Sequence, residues 1–238
     1  MNIFQLFFLI YSTHGLSVKV NRCYNCSETR DQTGTTLAGS NCFEPQPESL
    51  VSCSGLCLDE MSFDWAINGR QIIKLERFCA GSTWQEASCE SGEAAGGKYK
   101  DCKKYCDGDA CNNDLSVGMI GKSLPLESRS CLVCANDDDG KMESKSCQDA
   151  ENIEAEKCPL YLSEGCFTAF SALSIDAFEL VENNGAHTEE FHRGCSAFVL
   201  ESDFESISRE WYNGQFAKAR REFCDETSCN DKFIDIYL

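Results

Sequence analysis

The chain has 238 residues, 18 of them cysteine, and carries 39 acidic against 21 basic side chains for a formal net charge of −18 at pH 7. That balance argues against nucleic acid as a partner, because a phosphate backbone is bound by a basic surface. The cysteine content argues against a reducing compartment: an even number in an exported chain closes by default into nine disulfides.

Residues 1–17, MNIFQLFFLIYSTHGLS, contain no Lys, Arg, Asp or Glu, and the apolar run from Ile3 to Tyr11 is too short to span a bilayer. The stretch reads as a secretory signal peptide cleaved before Val18, with Gly15 and Ser17 at the small-residue positions. A cut before Leu16 is the alternative site, and a buried apolar strand is the alternative role. Export makes the protein secreted and extracellular.

Beyond the leader the chain reads as one unit written twice. CYNC opens at Cys23 and CLVC at Cys131, while CDGDACNND from Cys106 and CDETSCND from Cys224 each close as Cys, four residues, Cys, Asn. Residues 18–113 hold ten cysteines and residues 131–238 hold eight, both even, so each unit can close on itself. Between them, 114–130 has no cysteine and contains Gly, Pro and Ser, as a linker does. Residues 18–114 carry 10 basic and 15 acidic side chains, a net −5, and the remainder 11 and 24, a net −13. A solvated surface accounts for most of that excess, although a basic partner would be steered to the second unit. Cys-x-x-Cys also suits two corners of a zinc site, but neither unit supplies a matching second pair, since Cys53/Cys57 and Cys102/Cys106 have three intervening residues. Neither a metal nor any other cofactor is expected.

Between the cysteines the pattern is β. MSFDWAI and RQIIKLERF flank Asn68-Gly69, and Asn-Gly between alternating apolar runs is a hairpin signal because both residues tolerate positive φ. The device recurs at Asn184-Gly185 and Asn213-Gly214, with Asp139-Gly140 as a further tip; a helix over residues 205–223 is the alternative. Trp65 and Ile67 at the first tip, and Trp211 and Tyr212 beside Asn213-Gly214, are the candidate partner contacts, since Trp and Tyr bring large apolar area at little entropic cost. The alternative for the second pair is packing on a neighbouring strand through Phe204 or Phe216.

No catalytic residues are expected. His187 and His192 in HTEEFH are five apart where a zinc protease helix needs four, and a strand would put them on opposite faces, so they read as surface histidines of a hairpin. The acidic run NDDDGK fails as a calcium loop, because aligning its glycine puts Ala135 and Ser146 at ligand positions. Asn25, in Asn-Cys-Ser, is the sole Asn-x-Ser/Thr sequon and a candidate for glycosylation.

The CYNC opening and the closing C-x-x-x-x-C-N, present in order in both halves, resemble the three-finger LU domain family of the urokinase receptor, the lymphocyte-antigen-six proteins and the snake three-finger toxins. The resemblance implies a mainly β, small, disulfide-rich fold of two tandem three-finger domains. It implies the pairs Cys23–Cys57, Cys26–Cys42, Cys53–Cys79, Cys89–Cys102 and Cys106–Cys111, then Cys131–Cys166, Cys134–Cys147, Cys158–Cys195 and Cys224–Cys229. The finger-three bridge is absent from the second unit. Asn112 and Asn230 would be structural, tied by side-chain hydrogen bonds into the palm from which the fingers project. The function implied is non-enzymatic presentation of finger loops to another protein, be it a receptor, a channel or a secreted enzyme, without stable membrane insertion. A glycolipid-anchored surface protein, a phospholipase-A2-inhibitor-like binder and a toxin-like binder are the alternatives. The tail NDKFIDIYL is too short and charged for an anchor signal, which favours the secreted form.

Overall fold

The computed structural model describes residues 20–65, 70–94, 97–121, 129–135, 147, 150, 153–174, 188–197, 204–212 and 215–231, the last two ranges as backbone only up to residue 220. The leader expected over 1–17, Ile67, His187, the four expected turn pairs and the side chains of Phe204, Trp211, Tyr212 and Phe216 lie outside the described residues.

The fold is mainly β and disulfide-rich. Residues 21–106 form β1 (Asn21–Tyr24), β2 (Cys26–Asp31), β3 (Thr36–Gly39), β4 (Leu50–Cys53), β5 (Cys57–Trp65), β6 (Gln71–Cys79), β7 (Ser88–Ala94) and β8 (Gly97–Cys106). Residues 130–224 form β9 (Ser130–Leu132), β10 (Cys134–Ala135), β11 (Ala155–Lys157), β12 (Gly165–Ser174), β13 (Thr188–Ser196), β14 (Phe204–Tyr212) and β15 (Gln215–Cys224). The helix alternative over 205–223 gives way to the antiparallel pair β14 and β15, whose register shifts between Ser208 and Trp211.

The two halves repeat one topology. The first has a sheet in the order β3-β2-β6-β5-β8-β7 beside the pair β1-β4; the second has β10-β13-β12-β15-β14 beside β11-β9. Apart from the edge strand β3, each strand of the first half has a counterpart at the same place in the second. The bridges Cys23–Cys57, Cys26–Cys42, Cys53–Cys79, Cys89–Cys102 and Cys106–Cys111 lie in the first half. Cys131–Cys166, Cys134–Cys147, Cys158–Cys195 and Cys224–Cys229 lie in the second, and no cysteine is free.

Alternation along β5 and β6 explains where the core sits. Met61, Phe63 and Trp65 are buried while Ser62 and Asp64 are not, and Ile73 and Leu75 complete the same face from β6. That face is covered by the other half: its cluster includes Cys131, Cys158, Leu162, Cys166, Cys195 and Ala197, with Tyr161 packed against it. Tyr161 stacks at a tilt on Phe43 and Phe63, ring centroids 6.1 and 6.4 Å away.

Part of the stretch expected to be a linker is inside this core. Ser116–Met119 makes a 3-10 turn in which Val117 is fully buried. Gly118 lies so close to the seam that a Cβ there would stand 2.6 Å from Tyr161 Cβ and 2.7 Å from Met61 Sδ. Gly194 does the same service across the seam, where a Cβ would stand 2.9 Å from Phe167 and 3.3 Å from Gln32 Cβ. The halves are two frames with one continuous apolar interior.

Candidate partner-binding surface and the palms that carry it

Each unit is tied off by an asparagine. Asn112 Oδ1 accepts from Tyr24 N at 3.0 Å while its Nδ2 donates to Tyr24 O and Leu58 O at 3.1 and 3.4 Å. Asn230 repeats the pattern, accepting from Leu132 N at 3.0 Å and donating to Leu132 O and Phe167 O at 2.9 and 3.0 Å. An amide is the one side chain here that offers an acceptor and two donors to strands whose groups would otherwise be orphaned.

Behind each asparagine stands a buried arginine. Arg77 donates to the backbone carbonyls of Asn112 and Asp114, and Arg193 to those of Asn230 and Cys147. Both guanidinium groups are essentially inaccessible to water. Sequence reasoning passed over this pair, although the signal existed: each arginine sits two residues before the cysteine that ends β6 (RFC) or precedes the end of β13 (RGC).

The units differ in what faces that arginine. In the second, Thr168 Oγ1 accepts from Arg193 Nη1 at 3.1 Å and donates to Asn230 O at 3.3 Å. In the first the matching residue is Asp59, buried 3.6 Å from Arg77 Nε, with neither carboxylate oxygen in a hydrogen bond. Burial pushes its carboxyl up from 3.8 to about 7; Arg77 pulls it down, Asp114 pushes it up and Lys104 pulls it down, and burial wins because the arginine's Nη donors are spent on carbonyls. A carboxyl raised on folding holds a proton that the unfolded chain has released, so its contribution is present at low pH and lost as pH rises toward 7. Unfolding by guanidinium across pH 4 to 7 should therefore show Asp59→Asn losing a pH-dependent component on the order of 4 kcal/mol that falls with rising pH. Identical slopes for wild type and variant would reject this assignment.

Trp65 does not serve as an exposed fingertip. It is 3% exposed, meets Phe167 edge-on at 4.3 Å and Phe223 at 5.4 Å, and has the Arg221 guanidinium 5.7 Å over its ring. The second unit covers it, a contact that no local pattern in the first unit encodes. His192 is likewise a buried residue and not a surface one. Its Nδ1 faces Gln32 Nε2 of the first unit at 2.9 Å and its Nε2 faces Glu190 Oε2 at 3.2 Å. The amide can only donate there and the carboxylate only accept, so the ring carries its proton on Nε2. Gln32 Oε1 in turn accepts from Gln71 N at 3.2 Å, and Gln71 Nε2 donates across the seam to Cys195 O at 3.2 Å. These groups are spent on holding the units together. Trp211 and Tyr212 lie at the end of β14, paired with Phe216 and Gln215.

Among the described residues the exposed large aromatic is Trp84, at 61%. It lies on the loop between β6 and β7, whose ends are fixed by the Cys53–Cys79 and Cys89–Cys102 bridges, and the neighbouring Gln85 Oε1 accepts from Tyr105 OH at 3.2 Å. No turn motif marks it in the sequence. A second exposed apolar element is Leu160, on the rim of an open cleft of about 350 Å³ formed with Leu115, Met119, Pro159 and Tyr161 at the seam.

Two sulfur clusters occur among the described residues, Cys57/Cys106/Cys111 and Cys131/Cys158/Cys195. All six sulfurs are in disulfides, so they offer no thiolate to a metal.

No family model matches the chain. It is 28% identical over 120 residues to U-scoloptoxin(05)-Er1a of Ethmostigmus rubripes, an alignment that spans 49% of this chain and 81% of that protein. Among solved structures it aligns with the crystal structure of mouse TEX101 over 86% of this chain and 99% of the other, at 15% identity and a TM-score of 0.28.

Proposed function

We propose that the protein is exported and acts outside the cell as a non-catalytic binding protein, built of two tandem three-finger units and directed at another protein. The observation that carries this reading is Trp84: a large apolar side chain held in water on a loop with a disulfide at each end. Burying such a group against a partner recovers hydrophobic free energy at little cost in order, since the loop is already fixed. Nine bridges suit an oxidising exterior. Among the described residues no helix is long and apolar enough to cross a membrane. The similarity to a protein named a scoloptoxin supports a toxin-like binder as the form of this reading. The partner is a receptor, channel or secreted enzyme.

Trp84→Ala should leave the denaturation midpoint in place and weaken capture of the partner from the native source by about 30-fold, the equivalent of a hot spot of about 2 kcal/mol. Leu37→Ala, at another exposed apolar side chain, serves as the control. Undiminished capture by a folded Trp84→Ala variant would remove this surface from the binding site.

A further inference from the structure

We infer that Asn25 is an N-glycosylation site whose occupancy is decided by a race with closure of the Cys26–Cys42 bridge; this rests on the export reading above. Asn25 lies between β1 and β2 with its side chain in solvent, and only its backbone N–H is committed, to Ser49 O at 2.9 Å. Beside it runs an open groove of about 610 Å³, lined by Ser27, Ser40, Asn41, Gln46, Glu48 and Ser49. Hydroxyl, amide and carboxylate groups are the lining that a saccharide hydrates against, and the first sugars on Asn25 have room there without displacing protein.

The co-substrate is an oligosaccharide linked to a lipid diphosphate. Asn25 Nδ2 attacks the anomeric carbon; the C–N bond forms, the bond from that carbon to the diphosphate oxygen breaks, the amide proton goes to a base, and the lipid diphosphate leaves. A transferase must enclose the tripeptide Asn25-Cys26-Ser27 and reach the hydroxyl of its third residue. The folded protein forbids that. Cys26 is bridged to Cys42, β2 is paired along one side with β6 through Ser27 and Glu76, and Ser27 O accepts from Ser40 N at 3.3 Å on the other. Ser27 Oγ itself donates to Glu76 Oε1 at 3.4 Å. Strand β3 lies so close that a Cβ on Gly39 would stand 1.9 Å from Ser27 O. The sequon is therefore a substrate only before the Cys26–Cys42 loop closes, and each chain that forms that bridge first escapes modification.

The test is expression in a eukaryotic secretory host, under the chain's own leader and under a foreign leader, with peptide-N-glycosidase treatment in heavy-oxygen water to mark each modified asparagine as labelled aspartate. Cells and medium are both collected. Wild type should be partly modified at Asn25, Asn25→Gln and Ser27→Ala unmodified, and Ser27→Thr more fully modified. A dithiol reductant supplied during synthesis, or the double variant Cys26→Ala with Cys42→Ala, should raise occupancy. Modification under the foreign leader with none under the native one would overturn export and leave the site standing. An unmodified Asn25 in every arm, including reductant, would overturn the site. Full modification that reductant leaves unchanged would overturn the race.

Discussion

Trp65→Ala is expected to cost about 3–5 kcal/mol and to lower the stability of both halves together. The indole is the piece of β5 that reaches into the second unit, where Phe167 and Phe223 close on it edge-on. Removing it leaves a void between two sheets that are each fixed by their own disulfides and cannot collapse to fill it. Because Met61, Phe63, Ile73 and Leu75 share one apolar cluster with Leu162 and Ala197, the halves have no separate interiors to fall back on. Native-state hydrogen exchange should show amides of β5 and of β12 losing protection by the same free energy. Loss confined to β5, with β12 unchanged, would mean that the seam does not couple the units.

The second large effect is expected at Asn230. Its replacement by alanine strands the Leu132 N–H and the Leu132 and Phe167 carbonyls in the buried interior, at about 1–3 kcal/mol for each buried group left without a partner. Asn230→Asp should be no better, since a carboxylate keeps the acceptor but turns both donors into repulsion against carbonyl oxygens. Asn112→Ala should behave alike in the first unit. Chemical denaturation measures all three, and a change under about 0.5 kcal/mol would reduce these asparagines to ordinary surface residues.

What could be read from the sequence is what local order encodes. The spacing of CYNC and of the terminal C-x-x-x-x-C-N marks where each frame opens and closes. The Asn-Gly and alternating runs mark strands, and β14 and β15 stand where such a pair was expected. The structural role of Asn112 and Asn230 was legible only through the family resemblance that their closing C-x-x-x-x-C-N motifs carry. Trp65 and His192 were not legible. Each looks, from its own neighbours, like a residue near a hairpin end, and each is buried by partners about 100 or more positions away. Gly118 is hidden in the same way by Met61 and Tyr161, one from each half, in a stretch that has the composition of a linker and holds the buried Val117. Trp84 escaped for the opposite reason: nothing beside it forms a recognisable turn, and its exposure follows from the bridges that hold its loop. Asp59 and Thr168 show that a repeat in topology need not be one in chemistry, because a carboxyl faces the buried arginine of the first half where a hydroxyl faces that of the second.

Non-reducing peptide mapping of the protein tests the twofold frame on which the shared seam and the exposed Trp84 loop both depend. Nine bridges should be found, five among residues 23–111 and four among residues 131–229, with Cys53–Cys79 and Cys89–Cys102 at the two ends of the Trp84 loop. A single peptide joining a cysteine before residue 112 to one after residue 130 would contradict it.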